Sequence, residues 1–132
     1  MKDQNIALIK ALYDAFGRGD VQFIMNTLAE NVDWRFEGPS AVPYTGTWKN
    51  RADAMSFFAA LAAKERDHKL TITEFYGDGN TVFTMGRYAA TSTATGKSFD
   101  APIAHFFQLE GGKITRYVDF GDTAAMAAAH TA

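Results

Sequence analysis

Gly112–Asp122 reads GKITRYVDFGD, and it follows the apolar run His105–Leu109 across the turn Glu110-Gly111-Gly112. Two β-prone segments joined by a Gly-rich turn predict a hairpin. The second segment ends on two carboxylates, Asp119 and Asp122, set among Tyr117, Val118 and Phe120. A carboxylate among aromatic side chains is costly to bury unless it is hydrogen-bonded or put to use. The hairpin therefore sets a β framework and marks where chemistry is expected.

Upstream of it the same pattern recurs. Lys69–Tyr76, Thr81–Thr91 and Phe99–Leu109 read as strands, with Lys113–Phe120 as the last, and Gly77-Asp78-Gly79-Asn80 and Thr95-Gly96 are turn-rich connectors. Lys64–Lys69 reads as a charged loop. The first half is helical. Ile6, Ile9, Leu12, Tyr13 and Phe16 recur at helical spacing over Asp3–Phe16, and Gly17 and Gly19 stop the helix. Asp20 is placed to cap a short second helix bearing Val21, Ile24, Met25 and Leu28. Val32–Phe36 reads as a strand with Val32, Trp34 and Phe36 on one face and Asp33 and Arg35 on the other. Gly38–Gly46, with two prolines and two glycines, reads as a loop. Asn50 then caps a third helix over about Arg51–Glu65, presenting Met55, Phe58 and Leu61 on one side. Asp122 is a candidate cap for Thr123–Ala129, and the Ala-rich Ala124–Ala132 reads as a loose tail. Helices followed by a meander of long strands predict the α+β class: a curved, mostly antiparallel sheet wrapped over three N-terminal helices.

At 132 residues the chain suits one domain with one core. Its 11 Phe, 5 Tyr and 2 Trp are more aromatic surface than a simple core of this size needs. A net charge of -2 and no Lys/Arg cluster give no electrostatic basis for nucleic-acid binding. Without cysteine there is no disulfide, no thiolate chemistry and no Cys-based metal site. The polar Met1–Asn5 segment runs directly into the amphipathic pattern, so neither a signal peptide nor a membrane span is expected, and the cytoplasm is the default compartment.

Ala11–Asp20 (ALYDAFGRGD), Asn31–Phe36, Tyr44–Ala54 and Gly112–Asp122, taken in order, resemble the SnoaL-like branch of the nuclear transport factor 2-like superfamily over nearly the whole chain. The resemblance implies one such domain over residues 1–132, a conical α+β barrel, a deep apolar pocket and a homodimer through the outer sheet face. Function does not follow from it, because the fold hosts isomerases, cyclases, hydrolases, dehydratases and non-catalytic binders. The ketosteroid isomerases of the superfamily place a base where Phe36 stands, an oxyanion-binding acid at a position that falls on His105, and a Tyr where Leu12 stands beside Tyr13. The ending of limonene epoxide hydrolase is similar at Gly112, Lys113, Ile114, Thr115, Asp119 and Asp122. Its Asp–Arg pair falls on Tyr88 and Gly86, with Arg87 out of phase between them. Neither mechanism carries over whole.

His105 alternates with Ile103, Phe107 and Leu109, so its ring points with those apolar side chains. It is either a proton-transferring imidazole or a hydrogen-bonded core histidine. Asp119 shares a face with Tyr117 and Thr115, and the tight turn brings it toward His105. A His–carboxylate contact fixes the tautomer and favours the charged imidazole. Asp119 is thus an acid–base group or a strand-end carboxylate. Tyr88 and Tyr13 are candidates to donate a hydrogen bond to a ligand oxygen. Trp34, Phe36, Trp48, Phe58, Ile103, Phe107 and Tyr117 are candidate pocket walls, each also at home in an ordinary core. His68, His105 and His130 lack metal-ligand spacing, the glycines at Gly77–Gly79 join two strands, and no serine lies in a nucleophile elbow, so no metal or cofactor is indicated. The reading is a cofactor-independent isomerase, cyclase or hydrolase acting on a small apolar molecule. Its rivals are a non-catalytic binder of a hydrophobic metabolite and a dimeric accessory module.

Overall fold

In this computed structural model, which describes Lys2–Ala132, α1 (Lys2–Gly17) buries Ile9, Leu12 and Ala15. The chain leaves it through Gly19, whose φ of 73° only a residue without a Cβ adopts freely. Asp20 accepts from the Phe23 amide at 3.1 Å and starts α2 (Val21–Thr27), which runs straight into β1 (Leu28–Phe36). A short β2 (Gly46–Trp48) follows the Pro/Gly loop. Asn50 then accepts from the Asp53 amide at 2.8 Å and starts α3 (Arg51–Lys64). Both side chains satisfy amides that a helix start leaves without partners. Four elements build the meander: β3 (Glu65–Asp78), β4 (Thr81–Ser92), β5 (Ser98–Glu110) and β6 (Lys113–Gly121). Asp122 caps α4 (Thr123–Ala129).

The six strands form one curved sheet in the order β2-β1-β6-β5-β4-β3. Every pairing is antiparallel except β1 with β6, which sets Trp34 opposite Tyr117 and Phe36 opposite Asp119. The α+β class and the curved, mostly antiparallel sheet over the helices are as the sequence predicts. The barrel is not closed, because β2 and β3 remain edge strands. Among the described residues no helix is long and apolar enough to cross a membrane.

Several local expectations change. Arg66–Lys69 is strand and not loop: β3 is an edge with a bulge between Arg66 and Lys69, and an edge facing water accommodates charged side chains. On α3 the buried stripe is Ala54, Phe57, Phe58 and Leu61, while Met55 is exposed. The Ala-rich end is an ordered helix, held by the buried Met126 and Ala129. On the outer sheet face Tyr76, Phe83, Phe106 and Val118 lie in one cross-strand row, flanked by the exposed Met85 and Phe120.

Gly86 faces Ile72 beside a second register shift in β3. A Cβ there would stand 2.0 Å from the Thr71 carbonyl oxygen and 2.8 Å from Ile72 Cα, both backbone atoms that cannot rotate away. Gly86→Ala should therefore cost about 1–3 kcal/mol, seen as a lower urea midpoint. Gly17→Ala, with open space around its Cβ, should leave the midpoint nearly unchanged. Equal midpoints for the two variants would contradict the close approach of β3 to β4.

Candidate functional site

Alternation along β5 turns Ile103, His105, Phe107 and Leu109 inward. The β5–β6 register places His105 opposite Asp119 and Phe107 opposite Tyr117. His105 Nε2 lies 3.3 Å from Asp119 Oδ2, and both side chains are nearly inaccessible to water. The Tyr117 hydroxyl donates to the same carboxylate oxygen at 2.7 Å. On the other side of the imidazole, Nδ1 is 2.7 Å from the Tyr13 oxygen, which is 2.6 Å from Thr84 Oγ1. One assignment of these contacts has Thr84 donating to Tyr13 and Tyr13 to His105 Nδ1, which leaves the Nε2–H beside Asp119 as a close contact. Asp119 Oδ1 is buried and has no partner.

A second carboxylate has a different environment. Glu65 is 1% exposed and accepts from Tyr44 at 2.6 Å, from Tyr88 at 2.6 Å and from His130 Nε2 at 2.7 Å. This corrects the expectation for Tyr88. Its hydroxyl has one proton and gives it to Glu65, so Tyr88 belongs to this cluster and not to the His105–Asp119 pair. Arg87, beside it, points outward and pairs with Asp100 at 2.8 Å.

Of the expected wall residues, Tyr13, Trp34, Phe36, Phe58, Ile103, Phe107 and Tyr117 converge with His105, Asp119 and Tyr88 on one apolar cavity. Trp48 does not reach it. It pairs opposite Trp34 one strand further out, with Phe57 edge-on at 5.9 Å, and its indole donates to the Tyr44 carbonyl at 3.3 Å. The cavity holds only about 50 Å³, far below the roughly 300–1,000 Å³ of ordinary ligand pockets. The expectation of a deep pocket is corrected accordingly: the cone is largely filled by its own rings. Trp34 stacks on Tyr117 with centroids 3.8 Å apart, and Phe58 leans on Trp34 at 5.4 Å. Tyr13, Phe16 and Leu70 are the half-buried members of the lining, so the cavity approaches the surface between α1 and β3.

Sequence reasoning missed Thr84, Tyr44, Glu65 and His130. Tyr44 lies in a loop without periodicity, Glu65 in a charged run and His130 beyond an Ala-rich helix. Thr84 shares the inward phase of Val82, Tyr88 and Ala90 only by burial across a break at Gly86, a weak signal. Among the described residues no group of three or more His, Asp or Glu side chains is arranged to hold a metal ion.

Residues 9–117 match the SnoaL-like domain family. Among solved structures, an NTF2-like protein from Burkholderia pseudomallei superposes with a TM-score of 0.91 at 25% identity, covering 98% of each chain. An NTF2-like protein from Burkholderia thailandensis gives 0.89 at 26% identity, covering 97% of this chain and 98% of its own. TerC, co-crystallised with polyporic acid, gives 0.87 at 26% identity over 96% and 98% of the two chains. No functionally curated protein matched the sequence.

Burial raises the pKa of the Tyr13, Tyr44, Tyr88 and Tyr117 hydroxyls, and the nearby Glu65 or Asp119 charge raises it further. An unfolded tyrosine ionises near pH ~10. Below that pH these groups carry their full share of stability. As pH climbs past it, the unfolded chain releases protons that the folded chain retains, and stability falls. In an alkaline titration the phenolate absorbance of the folded protein should rise by no more than the exposed Tyr76 supplies, the rest appearing with unfolding. Reversible ionisation of two or more tyrosines near pH ~10 with the fold intact would contradict this assignment.

Proposed function

The chain belongs to the SnoaL-like domain family, and from that premise we propose that it is a cofactor-independent acid–base enzyme for a small, largely apolar molecule. The observation that carries this reading is Asp119: a buried carboxylate that accepts from Tyr117 on one oxygen, with His105 Nε2 3.3 Å from that same atom, and whose other oxygen has no partner, in a side chain that lines an apolar cavity. Oδ1 takes a proton from an acidic C–H or O–H of the ligand. The neutral carboxyl, still held by His105 and Tyr117, then returns that proton to a second ligand atom. The Thr84–Tyr13–His105 chain fixes the imidazole tautomer, so that its Nε2–H faces the carboxyl throughout the step. Such a shuttle suits isomerisation or ring closure. That TerC was co-crystallised with a small molecule supports a ligand in this interior.

The test is deuterium uptake at the α-carbon of a panel of small cyclic ketones in heavy water, followed by NMR. His105→Gln and Asp119→Asn should each lower protein-catalysed exchange by about 10²-fold or more. Full exchange in both variants would reduce the pair to scaffolding. Ketones that bind without catalysed exchange would favour the binding-protein reading, to which the small cavity is the observation that lends weight.

The protein also acts, on this reading, as a homodimer. The row Tyr76, Phe83, Phe106 and Val118 with Met85 and Phe120 leaves an apolar strip on the face opposite the helices, and a second copy carries the complementary strip. Arg116 lies over the Phe106 ring at 5.5 Å, a polar rim to that strip. Sedimentation at micromolar concentration should give a dimer for the native chain and a monomer for Phe106→Glu. A native monomer would remove this part of the proposal.

A further inference from the structure

The protons on the cavity wall can be counted. Tyr44 and Tyr88 give theirs to Glu65, Tyr117 gives its proton to Asp119, and Tyr13 is engaged between Thr84 and His105. His105 Nδ1 is engaged by Tyr13, and its Nε2 lies 3.3 Å from Asp119 Oδ2. One fully buried donor among the lining residues has no partner: the indole N–H of Trp34, a residue 2% exposed. One carboxylate acceptor is uncommitted, Asp119 Oδ1, in a side chain 8% exposed. A buried donor or acceptor left unpaired is destabilising, so two of them in residues that line one cavity call for an occupant that pairs both.

Their positions are fixed by the fold. Parallel pairing of β1 with β6 sets Trp34 against Tyr117 and Phe36 against Asp119, two residues along each strand. The indole plane is held by stacking on Tyr117, 22° from parallel, and by Phe57 and Phe58 at 5.7 and 5.4 Å. The N–H direction is thereby set before any ligand arrives, which lowers the cost of binding. No Lys or Arg lines the cavity, so an anionic ligand would face Asp119 without a counter-charge. The lining is mostly aromatic rings, a surface on which a flat molecule stacks.

We propose that Trp34 Nε1–H and Asp119 Oδ1 form a two-point recognition site for an uncharged, flat hydroxy-carbonyl compound. The carbonyl oxygen accepts from the indole, and a hydroxyl or enolisable C–H faces the carboxylate. This rests on the acid–base reading of the cavity and names its substrate class. Trp34 thereby takes the part of polarising a ligand oxygen that the sequence offers to a tyrosine.

The experiment uses the full chain labelled with ¹⁵N and three one-ring probes: 3-hydroxybenzaldehyde with both groups, benzaldehyde with the acceptor alone, and phenol. The chain has two tryptophans, so two indole signals are read, and Trp48→Phe identifies that of Trp34. Trp48 already donates within the protein and serves as the internal reference. 3-Hydroxybenzaldehyde should bind most tightly and move the Trp34 indole proton downfield while the Trp48 signal stays. Trp34→Phe, which keeps an aromatic ring and removes the donor, should weaken 3-hydroxybenzaldehyde about five- to tenfold, the loss of one hydrogen bond, and leave phenol little changed. Three results overturn the proposal: a Trp34 signal unmoved at saturation, equal affinity in Trp34→Phe, or no binding of any probe. The first needs no variant to fold. If the Trp34 signal is unmoved while His105→Gln still abolishes ketone exchange, the recognition site falls and the acid–base reading stands. If the signal moves but exchange does not depend on the pair, the reverse holds.

Discussion

A carboxylate that water cannot reach must be surrounded by donors, and Glu65 is where this chain meets that constraint. Its three donors come from the Pro/Gly loop, from β4 and from the residue after α4. Glu65 itself sits at the junction where α3 passes into β3 without a loop. Four segments distant in sequence are thus tied to one charge. Removing any donor leaves part of that charge unpaired in an apolar surrounding, which is far costlier than losing an exposed ion pair. The C-terminal helix is fastened by the same logic: Thr95 Oγ1 donates to the Ala129 carbonyl and Lys97 Nζ to that of Thr131, beside the His130–Glu65 contact. An Ala-rich segment with little to bury is ordered because its end is hydrogen-bonded, with Met126 and Ala129 as its apolar contribution.

Comparing the two buried carboxylates separates structure from chemistry. Glu65 has both oxygens engaged, Oε1 by Tyr88 and Oε2 by Tyr44 and His130, and no capacity left over. Asp119 accepts from Tyr117 on Oδ2, where His105 Nε2 also lies 3.3 Å away, and has nothing on Oδ1. The chain carries the means to satisfy a buried carboxylate fully and does so a short distance away. The unsatisfied oxygen at Asp119 is therefore a feature of that site, in the place where strand register brings an imidazole and one phenol and α1 adds a second, Tyr13.

The parts of this arrangement that follow local rules were legible in the sequence. The helix caps at Asp20, Asn50 and Asp122, the inward phase of Ile103, His105 and Phe107, and the nearness of His105 to Asp119 all follow from spacing or from one tight turn. What was not legible depends on long-range pairing. The parallel contact of β1 with β6 joins segments some eighty residues apart and decides that Trp34 stacks on Tyr117. Trp48 looked equivalent to Trp34 by residue type, yet one strand of lateral displacement takes it off the cavity. Tyr88 was legible as buried, but the destination of its proton depended on a glutamate in a charged run that reads as solvent-exposed.

The filled interior limits what the fold can do with this sequence. Aromatic side chains supplied in excess of an ordinary core do not enlarge a cone; here they pack against one another and reduce its free space to about 50 Å³. At roughly 10–15 Å³ for each water-sized group, that admits only a few atoms without movement of a ring. A larger ligand must displace Phe58 or Phe16 toward the α1 side, losing aromatic contacts such as Phe16–Phe58 at 6.4 Å. Those contacts involve no hydrogen bond, and a flat ligand can replace them. The Trp34–Tyr117 stack and the Asp119 hydrogen bonds are directional and lie on adjacent strands. The directional contacts on the β1–β6 side are thus the ones a ring movement costs most to disturb, and under the recognition proposed for Trp34 and Asp119 it is the aromatic wall that gives way.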